Sequence, residues 1–247
     1  MIKNYNDFIA ALLDAGFSGA VGGKEDGVFA LFRYGWGAED ETGIVWHTGD
    51  PDTDPWEWRT RVLDERDDIA YSKVFFKKAG YITKEWYPYF LAARRRGRTF
   101  KRDYSDGNEQ AECIRPFSTA YSDGAVSHFA KRIYDVVYEN DSLPLDEIKR
   151  LAGFGREDKS KFGAALTELQ MKLYLTMCGK QHKISQNGGE YGWASTMFCT
   201  TELFWGEDVF EQAVGISADE AAEKITEQIF KLNPSAQKKK IEKFIRG

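Results

Sequence analysis

The sequence has few of the residues that build disulfide, metal and nucleotide sites. Its three cysteines, Cys113, Cys178 and Cys199, are odd in number and far apart, which gives neither a disulfide framework nor a metal-ligand pattern. Its three histidines are isolated from one another. The chain has no Gly-Lys-Ser/Thr phosphate loop and no Gly-X-Ser-X-Gly nucleophile elbow. We therefore expect no metal ion and no cofactor.

Long apolar runs and a basic leader are also missing. The first seventeen residues form an amphipathic pattern that contains acids, so we expect neither a signal peptide nor a membrane span, and we expect a cytoplasmic protein. The chain is 42% hydrophobic and 15% aromatic, which is sufficient for a packed globular core. Its net charge of −5 excludes a uniformly basic surface, so any nucleic-acid binding must rest on a local patch.

The stretch 143–200 has the pattern of a helix–turn–helix followed by a β-hairpin. Pro144 near the start, acids after it, bases before the end and Gly153 just past the end mark a first short helix. After a polar turn, Phe162, Leu166 and Leu169 recur at helical spacing and predict a second helix. In a winged helix, this second helix enters the DNA groove.

After the second helix, the spacing of apolar residues changes from the helical period to the alternation typical of β-strands. Residues 172–184 and 193–200 read as two strands, and a glycine-containing loop at 185–192 separates them. This hairpin would be the wing. An alternative is that the second helix continues through Met177 to a glycine cap at Gly179, so the boundary between helix and strand stays open at this point.

The rest of the chain gives an α+β fold with four parts. We predict an N-terminal mixed helix and strand region at 1–103, a loop or insertion at 104–126, a winged helix-turn-helix domain at 127–200 and a helical C-terminal tail at 201–247. In the first region, the sequence predicts a helix over 2–16, strands at 28–34 and 44–47, a helix from Asp54-Pro55 to about Asp64, a hairpin over 71–82 and a helix from Thr83. In the tail, Ser217 with Glu220 predicts a helix start, and 238–246 predicts a basic helix.

The chain resembles a group of uncharacterised bacterial proteins, the AlkZ-related proteins. The residues that carry the resemblance are Trp56-Glu57-Trp58-Arg59, the segment 77–82 before Trp86-Tyr87-Pro88-Tyr89-Phe90, and the stretch 143–200; it covers most of the chain except 108–124. That group is distantly similar to the AlkZ/YcaQ winged-helix DNA glycosylases. The resemblance implies a winged helix, DNA binding and metal-independent excision of alkylated or crosslinked bases.

The catalytic signature of those glycosylases is absent. It consists of glutamine, an apolar residue, and then glutamine or aspartate, whereas Gln170-Met171 is followed here by Lys172. No catalytic residue is carried over. From the residues alone, Trp56, Trp58 and Trp86 could stack on a flipped base and Glu57 or Glu85 could orient water. The same aromatic residues could equally anchor helices to the core.

Basic residues give the candidates for DNA binding. The densest cluster, with Arg94, Arg95, Arg96 and Arg98, could neutralise phosphates or could form a solvated helix end. Donors on and beside the predicted second helix and wing are Arg156, Lys159, Lys161, Gln170, Lys180 and Lys183. Three hypotheses follow: a DNA-binding winged-helix protein linked to repair of alkylated DNA, a DNA glycosylase, or a winged-helix protein-interaction module without enzymatic activity.

Overall fold

The described part of the chain folds into helices around one antiparallel sheet. The computed structural model describes residues 2–19, 28–31, 45–96, 126–184, 187–188 and 190–247. The helices in these residues are α1 (Tyr5–Ala15), α2 (Pro55–Glu65), α3 (Tyr87–Arg95), α4 (His128–Glu139), α5 (Leu145–Leu151), α6 (Lys159–Met171), α7 (Thr201–Trp205), α8 (Glu207–Val214), α9 (Ala218–Leu232) and α10 (Lys238–Arg246). The strands are β1 (Phe17–Gly19), β2 (Ile69–Phe75), β3 (Lys78–Thr83), β4 (Ser142–Pro144), β5 (Leu175–Ile184) and β6 (Glu190–Thr200). The predicted α+β class is confirmed.

One sheet runs through both halves of the chain. Its strand order is β1-β3-β2-β5-β6-β4, and neighbouring strands are antiparallel. Strand β2 of the N-terminal hairpin pairs with β5 at Tyr71 and Met177. The predicted N-terminal region and the stretch 143–200 therefore share a sheet and pack as neighbours along it. The predicted insertion at 104–126 lies outside the described residues except for Val126.

The first helix ends where the sequence predicts. Gly16 follows α1 with a φ of 84°, the left-handed region that glycine adopts without strain, and its N–H donates to Leu12 O. A Cβ at this position would lie 2.1 Å from Trp86 Cδ1. Position 16 therefore requires glycine for two reasons: the left-handed backbone conformation and the close approach of the Trp86 ring.

Helix α2 starts at the predicted cap. The carboxylate of Asp54 is buried and accepts hydrogen bonds from the backbone N–H groups of Trp56 at 2.9 Å, His47 at 3.0 Å and Gly49 at 3.0 Å. Pro55 occupies the first turn, where its missing N–H costs nothing. One aspartate thus fixes both the helix start and the loop before it.

The two predicted strands before α2 are not formed in their described parts. Residues 28–31 have only an isolated bridge between Ala30 and Gly19. The next backbone N–H, that of Leu31, donates to the Ser18 side chain at 2.9 Å, so the ladder does not continue. In the second segment, His47 has a φ of 62°, which is incompatible with an extended strand. Residues 32–44 lie outside the described part of the chain.

The boundary between α6 and β5 is settled by a tight turn. Leu173 has a φ of 61°, and Tyr174 N–H donates back to Leu169 O at 2.8 Å. The helix therefore ends at Met171 and does not continue to Gly179. Upstream, 142–144 forms the short strand β4, so Pro144 precedes α5 and does not lie within its first turn.

The C-terminal tail is helical, as predicted, and packs tightly on the rest of the protein. Ser217 caps α9 by accepting a hydrogen bond from Glu220 N–H at 3.1 Å, and the bounds of α10 match the predicted 238–246. Phe244 of α10 is buried and stacks on Phe75 of β2, with ring centroids 3.8 Å apart. The tail therefore completes a core under the N-terminal hairpin.

Tyr5 provides a test of this packing through pH. Its ring is buried and its hydroxyl has no hydrogen-bond partner among the described residues; burial, followed by the charge of Glu65, raises the pKa of Tyr5 to about 12. In the unfolded chain the pKa is about 10. The neutral ring therefore contributes stability below pH 10 that is lost as pH rises through 12, with a slope of about 1.4 kcal/mol per pH unit.

We expect the Tyr5→Phe variant to unfold in urea at nearly the wild-type midpoint at neutral pH, because no hydrogen bond is removed. At about pH 11 the variant should be the more stable protein, because it has no phenol to ionise on unfolding. The other buried tyrosines are present in both proteins and cancel in the comparison. Equal losses of stability in the two proteins between neutral pH and about pH 11 would contradict the account of Tyr5.

Candidate nucleic-acid interface

The outer face of α6 is set by the residues that it buries. Phe162, Leu166 and Leu169 are buried in a cluster with side chains of α4 and α5, including Ile133 and Ile148. The opposite face carries small residues: Ser160, Gly163 and Ala164 are exposed, and Thr167 is half-buried. A helix face without bulky side chains can approach another surface closely.

Basic side chains lie at the N-terminal end of α6. Arg156, Lys159 and Lys161 are exposed. Lys161 Nζ lies 3.1 Å from Asp158 Oδ1, and this contact, followed by a hydrogen bond from Gly155 N–H, holds the pKa of Asp158 below its usual value. Within the described part of the chain, Arg156 and Lys159 form no ion pair, so their charges are available at the surface.

The β5–β6 hairpin contributes a second group of donors. Lys180 and Gln181 are exposed on β5. Lys180 Nζ lies 2.8 Å from Asp64 Oδ2 at the end of α2, and both side chains keep about 40% of their surface exposed. This ion pair holds the hairpin against α2. The side chain of Lys183 lies outside the described residues.

Gln170 does not belong to this surface, which corrects the sequence prediction. It is 1% exposed, and its Oε1 accepts hydrogen bonds from Ser72 Oγ at 2.8 Å and Lys73 N–H at 3.0 Å. Its Nε2 donates to Leu166 O at 3.0 Å. Gln170 therefore fastens α6 to β2 at the point where the register of β2 shifts, and it has no free face for a base.

Arg94 is also directed into the protein. Its guanidinium donates to Met171 O at 2.7 Å at the end of α6, and to Phe244 O and Ile245 O at 2.8 Å near the end of α10. Burial lowers the pKa of Arg94 to about 9. The side chain thus closes the C-terminal ends of two helices, where carbonyl groups lack helical partners.

Arg95 is the centre of a buried network. It is 4% exposed, and it donates to Glu202 Oε1 at 2.7 Å, to Thr201 Oγ1 at 2.6 Å and to Leu173 O. Burial alone would lower its pKa, but Glu202 and Tyr174 more than offset this, so the pKa of Arg95 is raised. Both Arg94 and Arg95 are therefore committed to the fold, which contradicts their prediction as phosphate ligands.

The next arginine in the cluster, Arg96, differs from these. Arg96 is exposed and lines a surface groove of about 460 Å³ between the end of α3, α9 and α10. The charged residues of this groove are Arg96, Asp219, Glu223, Glu227, Glu242 and Arg246. Its four carboxylates make it unsuitable for a nucleic-acid backbone. Arg98 lies outside the described residues.

Trp58 and Trp86, which the sequence offered as base-stacking residues, are core residues. Trp58 is fully buried, stacks on Phe8 with ring centroids 5.2 Å apart and donates from Nε1 to Asp52 O at 3.2 Å. Trp86 is 8% exposed and packs edge-on against Phe17 at 5.3 Å. Each of the two rings is packed inside a hydrophobic core. Neither residue lines the groove beside Arg96.

Trp56 is the exposed member of the aromatic group, with 40% of its surface accessible. Arg59 Cζ lies 3.5 Å from the centre of its ring, and the His47 ring lies 5.0 Å away. Glu57 is half-buried on the same helix, and Glu85 is exposed before α3. The groove lining includes none of these residues, so this groove does not bring Glu57 or Glu85 next to a stacking ring.

The described residues contain no group of three or more His, Cys, Asp or Glu side chains placed to hold a metal ion. None of the described helices combines the length and the apolar character needed to cross a bilayer.

Comparison with known protein families gives a match. A family model described as "AlkZ related" matches residues 2–115 and 112–246, which together span nearly the whole chain. No curated protein matches, and no solved structure matches.

Proposed function

The chain belongs to the AlkZ-related family, and we propose that it is a cytoplasmic winged-helix protein that binds duplex DNA, with a role linked to the repair of alkylated DNA. In this proposal the winged-helix unit is 127–200, with α6 as the recognition helix and the β5–β6 hairpin as the wing. The region 1–103 and the tail 201–247 support it from the shared sheet and core.

The order of the elements supports the winged helix. The chain runs α4, β4, α5, α6, β5 and β6, and β4 pairs with β6 through Leu143 and Phe198. A helix–turn–helix whose second helix leads into a two-stranded wing is the arrangement that presents a helix to the major groove. Glu168 fastens this unit, because its carboxylate accepts hydrogen bonds from Ser127 N–H at 3.1 Å and Ser127 Oγ at 2.7 Å.

The observation that carries the proposal is the exposed basic end of α6. Arg156, Lys159 and Lys161 lie beside a helix face of small residues, so the helix can approach the groove while the cations reach phosphates. Residues 127–200 contain ten lysines and arginines and nine aspartates and glutamates, whereas the whole chain has a net charge of −5. The unit is therefore the less acidic part of the protein.

Base excision is not part of the proposal. Glycosylases need a pocket that accepts a flipped base next to a group that positions water. Trp58 and Trp86 fill cores, and Arg59 covers one face of Trp56. The link to alkylated DNA rests on membership of the family alone.

The test is a titration of a labelled DNA duplex with the full-length protein at about 50 and 200 mM salt. With at least three phosphate contacts, we expect the affinity to fall by more than about tenfold between the two conditions. A duplex carrying alkylated bases serves as a second ligand and measures any preference for damage. Absence of binding at about 50 mM salt would overturn the proposal.

A protein-interaction module is the second candidate. Tyr138, Leu145 and Leu151 are 38–47% exposed on α4 and α5. These apolar side chains are on other helices than the basic end of α6, so they favour a protein partner for a different surface of the same unit. Failure to bind DNA combined with self-association or partner capture through these residues would favour this candidate.

A further inference from the structure

Two cysteines lie on neighbouring strands at a bulge. Cys178 is on β5 and Cys199 is on β6, where Cys199 pairs with Thr176. The register shifts between Met177 and Gly179, so Cys178 is the extra residue of the bulge. Cys178 lies two residues after Thr176, the partner of Cys199, which places Cys178 diagonally across from Cys199.

The two thiols are in direct contact but differ in exposure. A hydrogen bond joins the two thiols. This hydrogen bond lowers the pKa of the Cys178 thiol, and the same hydrogen bond, followed by burial, raises the pKa of Cys199. Cys178 is half-buried, whereas Cys199 is 2% exposed. A half-buried thiol thus lies next to a fully buried one on the neighbouring strand, which is the arrangement of a redox-active pair.

We propose that Cys178 and Cys199 form a redox-active dithiol that hydroperoxides oxidise to an intramolecular disulfide. The Cys178 thiolate attacks one oxygen of the peroxide; the O–O bond breaks, the sulfur becomes a sulfenic acid, and the other oxygen leaves as hydroxide or alkoxide. Cys199 Sγ then attacks the sulfenic sulfur. The S–O bond breaks as the S–S bond forms, and the hydroxyl group and the Cys199 proton leave as water.

The position of the pair gives the disulfide a structural consequence. A disulfide requires the sulfurs to approach to about 2.05 Å, so the two strands are drawn together at the bulge. The bulge lies at the base of the β5–β6 hairpin, next to the Arg95 network through Thr201. Oxidation would therefore restrict the movement of β5 relative to β6 at the base of the hairpin. Any effect of this on DNA affinity rests on the proposed function, whereas the chemistry does not.

The experiment treats the folded, full-length, reduced protein with hydrogen peroxide, blocks the remaining thiols with a maleimide and maps the peptides by mass spectrometry. We expect a Cys178–Cys199 linked peptide that is lighter by two hydrogens than the two reduced peptides together. Dithiothreitol should restore both thiols. This measurement needs no variant, so it does not depend on the stability of a mutant.

Two variants separate the roles of the sulfurs. In Cys199→Ala, Cys178 should accumulate as sulfenic acid and be trapped by dimedone, because the second thiol is missing. In Cys178→Ala, Cys199 should remain a free thiol after the same exposure. The proposal is overturned if both cysteines of the wild type keep their thiols under peroxide that fully oxidises glutathione, or if Cys199 reacts equally fast without Cys178. DNA titration plays no part in these outcomes, so they are distinguishable from failure of DNA binding.

Discussion

Replacing Arg95 by methionine is expected to lower the free energy of unfolding by about 2–4 kcal/mol, because it removes a buried charged donor and its three hydrogen bonds. Methionine keeps much of the volume of the side chain but removes the hydrogen bonds that the guanidinium donates to the Leu173 carbonyl, the Thr201 hydroxyl and the Glu202 carboxylate. The Thr201 hydroxyl remains as a donor to Leu173 O at 2.7 Å. Urea unfolding measures the loss. The effect is large because one guanidinium connects α3, the start of β5 and α7.

Arg96→Met is the matched control. It removes the same charge one residue further along, where the side chain is exposed at the end of α3. We expect a change of less than about 0.5 kcal/mol. Equal effects of the two substitutions would contradict the buried position of Arg95. Arg95 would then be a candidate for phosphate binding again.

Trp58→Ala is expected to be similarly destabilising, by about 3–5 kcal/mol, because it removes a large buried ring and leaves a cavity. The ring is fully buried against Phe8, Val62 and Tyr81, and its Nε1 donates to Asp52 O. Urea unfolding again gives the loss. A residue that served as a base-stacking platform would instead be exposed in the free protein and would cost little stability when truncated.

The control for this prediction is Trp56→Ala, two residues away on the same helix. Trp56 is 40% exposed, and its main partner is the stacked guanidinium of Arg59. We expect a loss of about 1 kcal/mol, the size of an exposed cation–π contact. If Trp58→Ala proved as mild as Trp56→Ala, the core between α1 and α2 around Trp58 would be less tightly packed than the structure shows.

The helix ends could be predicted from the sequence because they depend on interactions between residues that are close together in the chain. Asp54-Pro55, Ser217 with Glu220, and Gly16 each satisfy or terminate a helix with atoms from neighbouring residues, and all three are found where the pattern predicts them. Strand pairing is different. Strand β2 pairs with β5 at Tyr71 and Met177. No local sequence pattern encodes a pairing partner more than a hundred residues away.

The candidate site could be predicted only in part, because a charged side chain looks the same in the sequence whichever way it points. Arg94 and Arg95 belong to the densest basic cluster, yet they bind carbonyl and carboxylate oxygens inside the protein. Gln170 sits at a position where a recognition helix could read a base, but it pairs with Ser72 of β2. The sequence does contain a signal for the inward direction of Arg94, Arg95 and Gln170. These residues are next to apolar residues of their helices that are buried in the structure.

The most direct test of DNA binding through α6 compares two triple variants in the duplex titration at about 0.1 M salt. The first carries Arg156→Ala, Lys159→Ala and Lys161→Ala; the second carries Lys238→Ala, Lys239→Ala and Lys243→Ala, which removes the same charge from the exposed face of α10. We predict that the first loses affinity on the order of 100-fold and shows a salt dependence that is flatter by about three contacts. The second should stay within roughly twofold of the wild type, since screening weakens distant charges. Equal losses in both variants, or no loss in the first, would contradict the account.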